Sequence, residues 1–284
     1  MKILVVCQYY YPEPFRISDI CETLLNKGYE VTVLTGLPNY PDGCVLNNYR
    51  HGKKRNEVVN GVKVVRNFEI GRGKSKFRLF LNYISFAISA SIKAFIMKEE
   101  FDVILVNQLS PVLMAIPAMV YKRKRHKKIM LYCLDLWPDS LAAGGISKNS
   151  LIYKLFLNIS KWIYNYADKI LVTSSMFKDY FDEVLSINTD NIQHLPQYAE
   201  DLFAFRENEN TTKNVAINEE KKYKFVFAGN IGDMQSVDTI IKAADKLRNY
   251  YNIQFHIVGD GSKLEECRSL ANSLELKNIV FYGR

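Results

Sequence analysis

The chain has 284 residues, 48% of them hydrophobic, which is enough apolar content to bury the cores of one to two domains. Lys and Arg number 38 against 30 Asp and Glu, a net charge of +8. The excess lies in residues 1–200, with 26 basic and 18 acidic side chains, so that part is expected to meet an anion: a membrane surface, a phosphorylated substrate or a nucleic acid. Five scattered cysteines without a Cys-x-x-Cys pair argue against a disulfide framework and a structural zinc, and favour a reducing compartment.

The N-terminal "MKILVVCQYY" is too short in its apolar run for a signal peptide and reads as a first strand, Ile3–Cys7. Ile17–Asn26 has helical spacing and stops at Gly28, and Val31–Thr35 is the next strand, completing a β-α-β unit. Asn60-Gly61 predicts a hairpin within 58–67. Then follow a long apolar helix over 80–97, a strand at 102–106, a helix over 111–121, a strand at 129–134, a helix over 151–167 and strands at 169–173 and 192–195. This alternation predicts an α/β fold with a parallel sheet in residues 1–200. The polar stretch 201–222 reads as a linker. A second alternation occupies 223–284: strand 225–228, helix 236–248, strand 254–258, helix 264–274, strand 279–282. Three strands are fewer than a doubly wound half usually has, so the second domain reads as incomplete.

Four stretches carry candidate chemistry. In "AGNIGD", Gly229 and Gly232 follow a strand and precede a helix pattern, so backbone N–H groups and the helix dipole favour an anion there. Alone, the motif is weak and reads rather as an ordinary strand-to-helix turn. "VGDGSKL" has Gly259-x-Gly261 without the third glycine of a dinucleotide fingerprint, and reads as a turn at the ligand-binding edge of the sheet. In "YCLDLWPDSL", Asp135 emerges directly after a strand, placed to accept a proton from a substrate hydroxyl, while Asp139 suits a helix N-cap. The loops "YYYPEPFRIS" and "LPNYPDG" bring Arg16, Asn39 and Tyr40 to the same edge.

Two basic runs, 72–78 and 122–128, accompany the apolar helix over 80–97. That helix is nearly long enough to span a bilayer, but Asn82, Ser85, Ser89, Ser91 and Lys93 suit an interfacial or packed helix better. The runs fit an anionic membrane surface or a merely solvated face. Nucleic acid is disfavoured, because no recognition module is present.

Taken together, "KILVVCQYYYPEPFRISDICETLLNKGYEVTVLTGLPNYPDG", "YCLDLWPDSL", "FVFAGNIGDMQSVDTIIKAADKL" and "FHIVGDGSKLEECRSLANSLELKNIVFYGR" resemble the retaining glycosyltransferases of family 4, in particular the O-antigen and capsule enzymes of the WbuB type. The resemblance covers essentially the whole chain. It implies the GT-B fold, with two Rossmann-like domains: an acceptor-binding domain at 1–200 and the first part of a nucleotide-sugar-binding domain at 223–284. It implies that Gly229, Asn230, Ile231, Gly232, Gln235, Gly259 and Arg284 lie on the donor side, that Asp135 is catalytic, and that Arg16, Asn39, Tyr40 and Trp137 face the acceptor. It also implies a metal-independent enzyme moving a sugar, from a UDP-sugar by preference, to a polyprenyl-diphosphate-linked or polysaccharide acceptor, cytoplasmic and peripheral at the inner membrane face. "EPFRIS" stands where relatives often carry Gly-Gly. Relatives continue for about a hundred residues, so a truncated chain of weak or no activity alone is expected. Two alternatives remain: a non-catalytic acceptor- or membrane-binding subunit acting with a partner, and an epimerase of the same fold acting on UDP-GlcNAc.

Overall fold

The computed structural model describes residues 1–73, 75–198 and 223–283. The expected linker 201–222, together with Lys74 and Arg284, lies outside them. The chain divides into two compact units after Tyr198.

In the first unit the strands are β1 (Lys2–Val6), β2 (Glu30–Thr35), β3 (Asn56–Val59), β4 (Val62–Arg66), β5 (Val103–Gln108), β6 (Lys128–Cys133), β7 (Lys169–Val172) and β8 (Ile192–His194). They form one sheet in the order β3-β4-β2-β1-β5-β6-β7-β8, parallel except for β3 against β4. Asn60 and Gly61 both take positive φ at the β3–β4 turn, the conformation that their pairing predicted.

The period-two alternation of β1 shows how the two faces are covered. Ile3 and Val5 join α1 (Ile17–Asn26) in one cluster through Ile17 and Cys21. Leu4 and Val6 join the larger cluster on the opposite face. That face carries α2 (Lys76–Ile96), α3 (Ile116–Arg125), α4 (Asp139–Ala143), α5 (Leu151–Tyr166) and α6 (Phe177–Glu183). Each large side chain buried there contributes about 1.5–3 kcal/mol of transfer free energy.

Two helices differ from the sequence expectation. α2 starts at Lys76 rather than Phe80, because the Ser75 hydroxyl accepts a hydrogen bond from the Arg78 N–H at 3.2 Å and caps it. The helix expected over 111–121 instead opens with a 3₁₀ turn, Val112–Ala115, and α3 then runs on through the basic residues to Arg125. His126 ends α3 in the left-handed conformation.

α2 is long and apolar enough to cross a membrane by length and composition. Three of its polar residues, however, hold the preceding segment. Asn82 donates to the Ile70 carbonyl at 2.7 Å, the Ser85 hydroxyl accepts from the Ile70 N–H at 2.9 Å, and Ser89 donates to the Phe68 carbonyl. Phe86, Ala87, Ala90 and Ala94 enter the core. The side turned away carries Phe77, Phe80, Ile88, Ile92 and Phe95, all exposed. At steps of three, eight, four and three residues, each close to whole helical turns, these form a stripe along the helix. α5 exposes Leu151, Ile152, Leu155 and Trp162 in the same way.

The second unit contains a parallel three-stranded sheet ordered β11-β10-β9, from β9 (Tyr223–Ala228), β10 (Ile253–Val258) and β11 (Ile279–Gly283). α7 (Val237–Lys246) and α8 (Leu264–Ser273) cover it through Ile231, Val237, Ile241, Ile257 and Cys267. β9 is an edge strand with Phe225 and Val226 more than half exposed. Among the described residues the sheet of the second unit thus has three strands.

Candidate active site

The carboxyl ends of β5 and β6 place Asp135. Its backbone carbonyl accepts from Gln108 Nε2 at 3.0 Å, which ties the two strand ends together. Its carboxylate accepts from the Ser110 hydroxyl on one oxygen and the Ser140 hydroxyl on the other. Trp137 Nε1 in turn donates to Ser110 Oγ at 2.9 Å. An indole and two hydroxyls therefore fix the orientation of one half-buried carboxylate, leaving lone pairs for a further donor. Tyr83, on α2, lies close enough to feel Asp135, Arg72 and Tyr9. Burial pushes its phenol up, Arg72 and Tyr9 pull it down, and Asp135 raises it.

Beside Asp135 opens a cleft of about 570 Å³ lined by Leu79, Phe80, Trp137, Leu141, Leu155 and Phe156, with Ser110 and Ser140 on its wall and Lys76 among its residues. This volume is in the range of ligand pockets, about 300–1,000 Å³.

The cap expected of Asp139 is not found. Asp139 is the first residue of α4, behind Pro138, and its carboxylate accepts from the Tyr153 hydroxyl at 2.6 Å and pairs with Lys148 at 2.8 Å. It anchors α5 instead of capping α4.

The residues expected on the acceptor side separate into three situations. Trp137 is buried, with its indole on the cleft. Tyr40 is partly exposed, its ring tilted against Phe15 at a ring distance of 5.2 Å and the Arg72 guanidinium over it, also at 5.2 Å. Arg16 lies at a second, smaller hollow with Phe15 and Tyr132, where it donates to the Tyr198 carbonyl at 3.1 Å. Asn39 differs from the expectation. It is fully buried, donates to the Leu37 carbonyl and Glu69, and accepts from the Arg72 N–H, so its amide is consumed inside the loop rather than offered to an acceptor.

Sequence reading missed two buried carboxyl groups under these loops. Glu13 Oε1 accepts from the N–H groups of Asn39 at 2.9 Å and Tyr40 at 2.8 Å, and Oε2 from that of Tyr10 at 3.3 Å. It thereby staples the loop after β1 to the loop after β2. Burial pushes its carboxyl up to about 7, against the pull of those three N–H groups. Glu69 accepts from Gln8 and Asn39 and sits where a Cβ on Gly36 would be, 2.6 Å from its carboxyl. Burial, with Glu13 adding, holds the Glu69 carboxyl well above the usual range. A single acidic residue after each strand was the signal available in sequence.

In the second unit, the expected donor loop is built backbone against backbone. The Gly229 N–H donates to the Val258 carbonyl at 2.9 Å and the Ile231 N–H to the Asp260 carbonyl at 2.8 Å. Gly259 and Gly261 take φ of +146° and +157°, and a Cβ on either would strike the Gly229 or Ile231 carbonyl. These two glycines are thus required by close backbone approach, a stronger reason than the turn read from sequence. The Ile231 side chain is a fully buried core residue, so it cannot face a ligand. Asn230 Nδ2 donates to Gln235 Oε1 at 3.2 Å. The helix expected to start at Ser236 is preceded by a 3₁₀ turn, Asp233–Gln235, and Ser236 is left-handed, so α7 begins at Val237, past a break. Arg284 lies outside the described residues.

Three of the six Lys and Arg residues in the basic run 122–128 are spent on structure. Lys122 pairs with Asp168 at 2.7 Å, Arg125 with Glu100 at 3.2 Å, and Lys124 donates to the Phe95 carbonyl. Of the 72–78 run, Lys76 and Arg78 are exposed at the N-terminal end of α2.

A parallel sheet with a polar site at its carboxyl edge, joined to a second sheet with a Gly-rich strand-helix loop, defines a two-domain sugar-transferase architecture of the GT-B kind. The chain belongs to glycosyltransferase family 4, whose family model matches residues 16–197, and the model of glycosyl transferases group 1 matches 208–284. It is similar to Escherichia coli WcaI, named for colanic acid biosynthesis, with 24% identity over 99% of this chain and 71% of that one. It is also similar to the Pseudomonas aeruginosa glycosyltransferase WbjE, at 24% identity over 68% of this chain and 48% of that one. Among solved structures, the lipopolysaccharide outer core galactosyltransferase WaaB matches with a TM-score of 0.57 at 17% identity, covering 100% of this chain and 68% of that one. Anabaena HepE, solved with UDP and glucose, gives 0.59 at 13%, covering 100% and 69%. At these identities the structural likeness shows the fold alone.

Proposed function

We propose that the enzyme transfers a sugar from a nucleotide-sugar, a UDP-sugar by preference, to a lipid-linked or polysaccharide acceptor in the building of a cell-surface polysaccharide. The observation that carries this reading is Asp135, an oriented carboxylate at the carboxyl edge of the first sheet and beside a ligand-sized cleft. Such a group can accept the proton of an incoming acceptor hydroxyl as the glycosidic bond forms. The role of the glycine loop Gly229–Gly232 is to hold the donor diphosphate through the N–H groups of Asn230 and Gly232, those of Gly229 and Ile231 being spent on Val258 and Asp260, without a metal and with retention of anomeric configuration. The UDP bound to HepE and the names of WcaI and WaaB support the donor class and the pathway type. The exposed stripes of α2 and α5, with Lys76 and Arg78 at one end, support a peripheral position on the cytoplasmic membrane face.

The test is amide hydrogen exchange on the 284-residue chain with and without UDP. Slower exchange across 229–235 is expected. Protection confined to the first unit, or none, overturns the donor assignment. A second reading, a binding subunit acting with a partner chain, draws on the half-exposed edge strand β9.

A further inference from the structure

The two hydroxyls beside Asp135 differ in how their single protons are committed. An indole N–H can only donate, and an ionised carboxylate can only accept. Ser110 Oγ lies between one of each: it accepts from Trp137 Nε1 at 2.9 Å and donates to Asp135 Oδ2. Its proton therefore has one destination. Ser140 has two acceptors for its one proton, Asp135 Oδ1 and the Leu136 carbonyl at 2.9 Å. It can turn to the carbonyl and leave Oδ1 open. The indole behind Ser110 has no such freedom. Trp137 is buried, its ring stands edge-on to Phe156 of α5 at a ring distance of 5.4 Å, and its backbone N–H donates to the Tyr164 hydroxyl at 3.4 Å. Ser110, Trp137 and Ser140 all line the cleft.

We propose that Ser110 and Trp137 are positioning residues for the transfer step, holding Asp135 Oδ2 so that Oδ1 is the atom that takes the proton of the acceptor hydroxyl. As the acceptor oxygen loses that proton to Oδ1, it forms its bond to the anomeric carbon. The bond from that carbon to the diphosphate breaks, and its electron pair leaves with the diphosphate. Ser140 turns to the Leu136 carbonyl as the acceptor hydroxyl reaches Oδ1. Hydrogen bonds in a chain polarise one another, so the indole senses the carboxylate charge through Ser110. This deepens the proposed function and rests on its assignment of Asp135 as the proton acceptor.

The test has two arms. In the first, the 284-residue chain is isotope-labelled for NMR in a Trp162→Phe background, so that Trp137 gives the one indole N–H signal. Asp135→Asn should displace that signal. The displacement should fall at least threefold in a Ser110→Ala background and survive in Ser140→Ala. No displacement, or an equal one with and without the Ser110 hydroxyl, overturns the proposal. Ser110→Ala removes a single oxygen and keeps the fold, which circular dichroism verifies; Ser110→Cys, a weak donor of similar size, serves as the second variant. In the second arm, labelled sugar incorporation is measured in extracts of the host expressing the gene, per enzyme detected by immunoblot. Ser110→Ala should lower the rate at saturating nucleotide-sugar at least tenfold and move KM less than threefold, with Ser110→Thr restoring most of the rate. Adding Trp137→Phe to Ser110→Ala should cost less than threefold more, because the chain is already broken. Ser110→Ala at the wild-type rate beside an impaired Asp135→Asn overturns the positioning role alone. Asp135→Asn at the wild-type rate overturns the proposed function, and this role with it.

Discussion

A Cβ at Gly259 would lie 1.8 Å from the carbonyl oxygen of Gly229, so the loop of one strand end can close on the other only because Gly259 has no side chain. Gly259→Ala combines that clash with a φ of +146°, and should destabilise the second unit by about 3 kcal/mol or more. Both tryptophans, Trp137 and Trp162, belong to the first unit. Tryptophan emission should therefore keep its wild-type unfolding midpoint while amide exchange in β9–β11 rises. Unchanged exchange in those strands would show that the loop can open without cost.

Glu13 makes a pH prediction. Its carboxyl is raised in the folded chain from 4.5 to about 7, chiefly by burial. Between those values the unfolded chain releases a proton that the folded chain keeps. The contribution is therefore fully present below about pH 4.5 and is lost as pH rises toward 7, by at most about 1.4 kcal/mol per pH unit. Glu69, raised in the same direction, adds to the slope. Glu13→Gln does not titrate. Denaturant melts from pH 4.5 to 7 should show wild-type stability falling relative to that variant. A constant difference across the window would contradict the assignment.

Glu13→Gln also replaces one acceptor by an amide NH₂ facing backbone N–H groups. Beyond the pH effect, it should cost about 1–3 kcal/mol near neutral pH if the amide cannot satisfy all three donors. The loop holding Tyr40 should exchange its amides faster. A variant as stable as wild type with unaltered loop exchange would remove the stapling role.

Replacing Ile88 and Ile92 by Glu tests the apolar stripe of α2. Both are more than half exposed, so stability should move by no more than about 0.5 kcal/mol per site. Co-sedimentation with phosphatidylglycerol vesicles should fall at least tenfold. Lys76→Gln with Arg78→Gln should flatten its salt dependence. Binding indifferent to both pairs would mean that the stripe meets something other than a lipid surface.

Much of the fold could be read in the sequence because it rests on local signals. Apolar runs mark β1, β2, β5 and β6, and Asn60-Gly61 fixes a hairpin. The failures share one physical cause, namely partners far apart in the chain. Gln8 meets Glu69 across 61 residues and Asn82 across 74, so the polar residues of α2 could be seen as unsuited to lipid but not as the groups that hold the 67–70 segment. Asn39 in a loop has the same sequence signature whether its amide turns inward or outward, and here it turns inward. Asp139 looked like a cap because its position was right, but its oxygen is taken by Tyr153, 14 residues on. Gly259 and Gly261 read as a turn because the backbone they accommodate, Gly229–Ile231, lies about 30 residues earlier. Asp135 could be identified because strand end and carboxylate adjoin in sequence. Its two serines and the indole behind them could not.

The central claim is that Asp135 serves sugar transfer. It is tested most directly by labelled sugar incorporation from a panel of nucleotide-sugars into lipid-extractable product, using extracts of the host expressing the gene, its deletion, or Asp135→Asn. Asparagine keeps the shape and the two serine hydroxyls can rotate to meet it, so the protein should accumulate normally. The account predicts incorporation from one donor, absent in the deletion and reduced about 10²-fold or more by Asp135→Asn. Incorporation that is lost in the deletion but undiminished in Asp135→Asn would contradict it and leave the chain a binding subunit.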